Sequence, residues 1–211
     1  MCWSATADLW AGTAIASAGA VGVARTRRPR DLPLAALPLL LGAHQLVEAQ
    51  VWHNGGGTGP ATVAWAVIAL PLLAVWVPIA VLCAAPARAR PRLMAPLVSG
   101  VLTAAVLAYS LATRSVRADI RGHTVGYAIG LDHGRLLIAG YLLATVGALL
   151  LAGDRWLVGF GVLAGVGAVI CSALWRTEFV STWCALAAVC SVVLLGWSGR
   201  RPARHPAGVG I

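Results

Sequence analysis

Carboxyl groups with a helical spacing of partners are the first chemistry this sequence offers. Only two glutamates occur in 211 residues, Glu48 and Glu178. His44, Glu48 and Trp52 follow one another at i, i+4 and i+8, which places them on one face of a helix, with Gln45 beside them. Glu48 lies about four residues from the polar end of a long apolar run, roughly 6 Å of helical rise. An apolar setting disfavours an ionised carboxyl. Glu48 is therefore expected to keep its proton and to act as an acid, and an ionisable group at such a depth marks a functional site by default. A plain structural reading stands beside this one: a hydrogen bond to a neighbouring helix, or an ion pair with Arg135 or Arg176. Glu178 shares a face with Ser181 and Thr182 and stands two residues from Arg176. There it serves either the same chemistry or the stabilisation of a helix N-terminus.

Other reactive side chains cluster in a few short stretches. The segment GHTVGYAIGLDHG supplies His123, Tyr127, Asp132 and His133. Asp132 and His44 join Glu48 and Glu178 as candidate proton-transfer groups. Trp3, Trp52, Trp175 and Trp183, with His123 and Tyr127, form either an aromatic belt at a membrane interface or the wall of a binding pocket that stabilises a cation. Cys2 and Cys184, with the histidines, are an alternative metal or redox set, and a Cys2–Cys184 disulfide is conceivable. Metal-ligand spacings such as HxxxH, HxxE or CxxC are missing. So are a phosphate-binding loop, a GxSxG elbow and a DDxxD cluster; GGGTG at Gly55–Gly59 lacks a following lysine.

The elements that must position these groups are helices in a bilayer. The chain is 59% hydrophobic and 11% charged, where a soluble domain carries about 25% charged residues. Its mean hydropathy is +0.82. All 16 basic residues are arginine and the net charge is +9. They lie between apolar segments rather than on one basic face, which argues against nucleic acid as a partner. With about 20 apolar residues per crossing, seven spans are expected, near residues 8–24, 32–52, 60–84, 93–112, 136–152, 156–175 and 179–198. The fold class is therefore an all-α, seven-helix polytopic membrane bundle in one domain. The first span, rich in Ala and Gly, is the weakest. Pro71 and Pro78 should kink the third. Gly161 and Gly165 form a small-residue packing face in the sixth.

Arginine bias places the links after spans one, three, five and seven in the cytoplasm. The N-terminus is then outside and the C-terminus inside, although Arg114, Arg117, Arg121 and Arg135 lie in the outer link. In this arrangement Cys2 and Trp3, Glu48, Trp52 and His53, the residues His123 to His133, and Trp175, Glu178, Trp183 and Cys184 gather at one membrane face.

An acid in a dry, tryptophan-lined site suits protonation of an alkene or epoxide, with aromatic faces stabilising the carbocation. Such chemistry needs no cofactor. Seven short spans with Glu48 in the second and Glu178 at the seventh resemble the small integral-membrane terpene cyclases of meroterpenoid and indole-sesquiterpenoid pathways. The resemblance implies metal-independent cyclisation of a prenylated, lipophilic small molecule taken from membrane lipid. The stretches MCWSATADL, HQLVEAQVW and EFVSTWCALAA are also similar to uncharacterised small bacterial membrane proteins. A cysteine- and histidine-based metal, haem or redox protein and a small proton-coupled transporter remain the competing expectations.

Overall fold

The computed structural model describes residues 4–174 and 179–198. Seven helices in it are long and apolar enough to cross a membrane: α1 (Ala5–Arg25), α2 (Pro29–His53), α3 (Pro60–Ala84), α4 (Ala87–Thr113), α5 (Gly134–Leu151), α6 (Arg155–Leu174) and α7 (Phe179–Ser198). Each starts and ends within a few residues of its expected span, except that α4 begins six residues earlier, where Ala87–Ala89 forms a turn of 3-10 helix leading into the main helix. Large apolar side chains stand exposed along the flanks, among them Val98, Leu102 and Val106 of α4 and Val162, Val166 and Val169 of α6. A soluble protein rarely shows such a surface; facing lipid, it needs no further cover, because the helices satisfy their own backbone groups.

Composition explains how the weakest span holds. Ser4 caps α1 by accepting a hydrogen bond from the Ala7 amide at 3.2 Å. Along α1, Gly12, Ala16 and Gly19 form a seam that meets α2 backbone to backbone. A β-carbon on Gly19 would lie 2.3 Å from the Leu39 amide nitrogen, and one on Gly42 would lie 2.4 Å from that of Ala16. The small side chains that make α1 a poor hydropathy signal are thus what lets it dock, the usual logic of small-xxx-small pairs in membranes.

The two prolines of α3 are accommodated differently. Pro71 sits inside a wide π turn, Ile68–Leu72, which closes with the Leu73 amide donating to the Ile68 carbonyl. Pro78 has no amide hydrogen for the Ala74 carbonyl four residues back. Gly100 of α4 packs against that carbonyl, so closely that a β-carbon there would stand 2.3 Å from the oxygen. A second π turn, Leu143–Gly147, interrupts α5.

The long link between α4 and α5 is not featureless. It holds a hairpin, β1 (Arg117–Arg121) and β2 (Thr124–Ala128), antiparallel with Arg121 paired to Thr124 across the tip. Gly122 takes a positive φ of 60° there, as two-residue hairpin loops require. Ala118 and Val125 are buried, so the hairpin lies down on the bundle. The GGGTG loop receives it: Gly57 and Ala118 exchange backbone hydrogen bonds of 2.8 and 2.9 Å. A side chain on Gly56 would collide with the Ala118 carbonyl.

Candidate functional site

Glu48 lies five residues before the end of α2, about 7.5 Å of rise from the hairpin end of the bundle. Its side chain is completely buried, as are those of His44 and Asp8, while Gln45 is all but buried. The Ser181 hydroxyl, in the first turn of α7, donates to Glu48 Oε1. A second carboxyl stands close by: Asp8 of α1 is near enough for the two to interact electrostatically, and the Trp52 indole also borders it. The tight α1–α2 seam explains this meeting. Gly12 packs on the Gly42 carbonyl and on Leu46, and one turn back along α1 in the antiparallel pair, Asp8 arrives at the level of Glu48.

The Trp52 indole stands beside the Asp8 carboxyl, and the Gln45 Oε1 and the His44 Nε2 have no hydrogen-bond partner among the described residues. The Gln45 amide and His44 Nδ1 lie 3.3 Å apart. Asp8 and Glu48 thus bring two carboxyls together in the buried interior where α1, α2 and α7 meet.

An aromatic column connects the cluster to the hairpin. The His44 ring is 5.1 Å from that of Trp65, which is fully buried in α3. Trp65 stacks on Tyr127 of β2 with centroids 3.4 Å apart and an interplanar angle of 2°. The hairpin therefore caps the site with Tyr127. On the other side of α7, the Trp183 indole donates to the Ala164 carbonyl of α6 at 2.8 Å. Trp183 stacks on Phe179 and meets Tyr141 edge-on at 5.8 Å.

Two apolar cavities flank these rings. One, of about 40 Å³, lies inside the bundle and is lined by Leu41 of α2 and Cys184 of α7 among others. Leu41 is seven residues, two turns, below Glu48 on the same face, and Cys184 is one turn below Ser181. The other, of about 130 Å³, is lined entirely by apolar surface and reaches the flank at Ile138, Phe179 and Val180. Tyr141 and Trp183 belong to the wall of both.

The structure thus brings Glu48, His44, Trp52 and Tyr127 together, with Trp183 one turn of α7 away from Ser181. It does not bring Asp132 or His123 to them. Asp132 is exposed and pairs with Arg114, which holds its carboxyl below the usual carboxylate range, mainly through the hydrogen bond between them. His123 is exposed at the hairpin tip. Cys2, Trp3, Trp175 and Glu178 lie outside the described residues. Among the described residues no three metal-binding side chains cluster. Asp8 and Ser181 carry much of the site, yet the sequence reading used Asp8 only as a span boundary and Ser181 only as a neighbour of Glu178. The signal for Asp8 was its place one turn before Gly12 in the small-residue seam.

The family model for DUF6629, a family of unknown function, matches residues 1–208. The chain belongs to that family. No curated protein and no solved structure matches it. The match extends over all seven helices of this DUF6629 chain, so the acid cluster and its hairpin cap both fall within the family's span.

Proposed function

We propose that this chain is a membrane-embedded acid–base enzyme acting on a lipophilic small molecule, an isomerase of the terpene-cyclase kind with Glu48 as proton donor. The observation that carries the reading is the buried Glu48 carboxyl, oriented by Ser181 and backed by Asp8, two turns above an apolar cavity. Glu48 lines neither cavity, so in the proposed reaction the substrate alkene moves up the α2 face to the carboxyl, where the Glu48 O–H bond breaks as a C–H bond forms on it. The positive charge left on carbon faces aromatic walls, and the Ser181 hydroxyl stabilises the new carboxylate. A second alkene of the same substrate attacks the cation, closing a ring and moving the positive charge to a new carbon; a carbon next to that one then returns a proton to a carboxylate, so the net change is an isomerisation that consumes no oxidant.

The cavities set a limit on what enters. A void of about 150 Å³ holds a molecule the size of benzene, so only the reactive end of a prenylated substrate fits, with the rest left in the bilayer. Arginine bias assigns the hairpin end to the outer face of a bacterial cytoplasmic membrane, N-terminus outside and C-terminus inside. Membranes containing the protein, incubated with farnesylated aromatic substrates, should yield a cyclised isomer of unchanged mass. Glu48→Gln should lower the rate by ~100-fold or more, the range of general-acid catalysis; unaltered turnover in that variant refutes the assignment. Proton uptake by proteoliposomes without any product would assign the carboxyl pair to a proton-coupled carrier instead.

A further inference from the structure

A groove of about 870 Å³ runs along the flank between α5 and α6, outside the site described above. Ile138, Leu142, Val146 and Leu150 line it on α5, and Gly165 and Ala168 on α6. Its volume falls within the range of small-molecule sites, ~300–1,000 Å³, unlike either interior cavity. From Arg135 to Leu150 it extends over fifteen residues of α5, about 22 Å along the membrane normal. Its floor is the valley between two antiparallel neighbours, whose axes pack about 8–10 Å apart; that valley is one hydrocarbon chain wide.

The two ends differ in chemistry. Leu150 closes the inner end, whereas Arg135 lines the groove at the start of α5, at the hairpin end. The Arg135 side chain forms no salt bridge with any described residue. A guanidinium at the interface end of an apolar groove matches a phosphate, which it grips through two parallel N–H donors. The groove also meets the 130 Å³ cavity, since Ile138, Leu142 and Phe179 line both. Beyond them stands the Trp183–Tyr141 pair that walls the chamber below Glu48.

We propose that this groove binds a single hydrocarbon chain with a phosphate head, drawn sideways from the bilayer, with Arg135 on the phosphate. Naming this occupant as the substrate of the acid site rests on the proposed function; the binding itself does not. The chain lies against the α5–α6 valley, and Ile138 and Phe179 stand where it would turn toward Trp183.

The test is photolabelling of the full chain in lipid nanodiscs by diazirine-bearing hexadecyl phosphate, with the matching hexadecanol and a diazirine-bearing phosphatidic acid as comparison probes. Hexadecyl phosphate should label peptides of α5 and α6 several-fold more than the lipid-facing Val98–Val106 flank of α4, and more than the alcohol does. Arg135→Gln, an exposed change, should reduce that excess to the level of the alcohol, and Gly165→Leu, which fills the valley, should remove it. Equal labelling of groove and α4 flank means ordinary surrounding lipid and overturns the proposal, as does an Arg135→Gln protein that labels like wild type. Phosphatidic acid labelling as strongly as hexadecyl phosphate overturns the single-chain occupant. The same labelling in Glu48→Gln separates the two readings: retained labelling without turnover in any variant leaves the groove standing and the acid chemistry refuted.

Discussion

Gly42→Ala tests whether the α1–α2 seam creates the site. The new methyl would stand 2.4 Å from the Ala16 nitrogen, 2.7 Å from its Cα and 2.8 Å from its Cβ. Ordinary contact begins near 3.4 Å, so α1 must retreat by about 1 Å, because backbone cannot rotate aside as a side chain can. Overpacking of this kind costs about 1–3 kcal/mol, offset by up to ~1 kcal/mol from the better helix propensity of alanine. A net loss of ~1–2 kcal/mol should appear in thermal unfolding of the purified protein in detergent. The larger effect should be on function: a 1 Å misplacement can cost ~100-fold in rate, and here it separates Asp8 from Glu48. Gly159→Ala on α6 is the control, since a β-carbon there meets nothing within 4 Å; it should unfold at or above the wild-type temperature. A Gly42→Ala protein with wild-type stability and an unchanged α1–α2 cross-linking pattern would refute the reasoning.

Ser181→Ala removes the hydroxyl that Glu48 Oε1 accepts from; loss of one partner of a buried hydrogen bond should cost ~1–3 kcal/mol of stability, read from the shift in unfolding, and activity should fall with it. Trp183→Phe keeps an aromatic ring beside Phe179 and Tyr141 but leaves the Ala164 carbonyl without its indole donor; a loss of about 1 kcal/mol is expected, against the ~3–5 kcal/mol of Trp183→Ala. Asp132 has its folded-state carboxyl held low by Arg114, so the anchoring it gives is complete above the ordinary carboxylate range and disappears as pH falls through the lowered value. Proteolytic cleavage of the hairpin link should accordingly be flat from pH 5 to 8, rise only in stronger acid, and lose that acid dependence in Asp132→Asn.

Much of the architecture was readable from composition. Seven apolar stretches separated by arginine, proline and glycine leave few choices in lipid, where a helix satisfies its own backbone. The face shared by His44, Glu48 and Trp52 followed from the helical repeat alone, and all three do meet in the buried cluster. The hairpin was less legible, because Arg117–Ala128 is short and polar and its strands are fixed by docking on Gly57 rather than by a strong alternation.

Short links marked some helices as antiparallel neighbours, but which faces of them meet was not in the sequence, since periodicity defines a face but not what it faces. Gly12 and Gly19 read as small residues in a weak span; only close packing against Gly42 of the next helix turned them into the contact that carries Asp8 to Glu48. In the same way Asp132 and Asp8 are equivalent as letters, an acid near one membrane face. The fold leaves Asp132 exposed against Arg114 and buries Asp8 beside another carboxyl. The sequence determined a seven-helix bundle with Glu48 near one end of its second helix; the backbone approach of α1 to α2 and the reach of α7 to Glu48 decided which polar groups it meets, because proton chemistry depends on separations of a few ångströms that no spacing rule encodes.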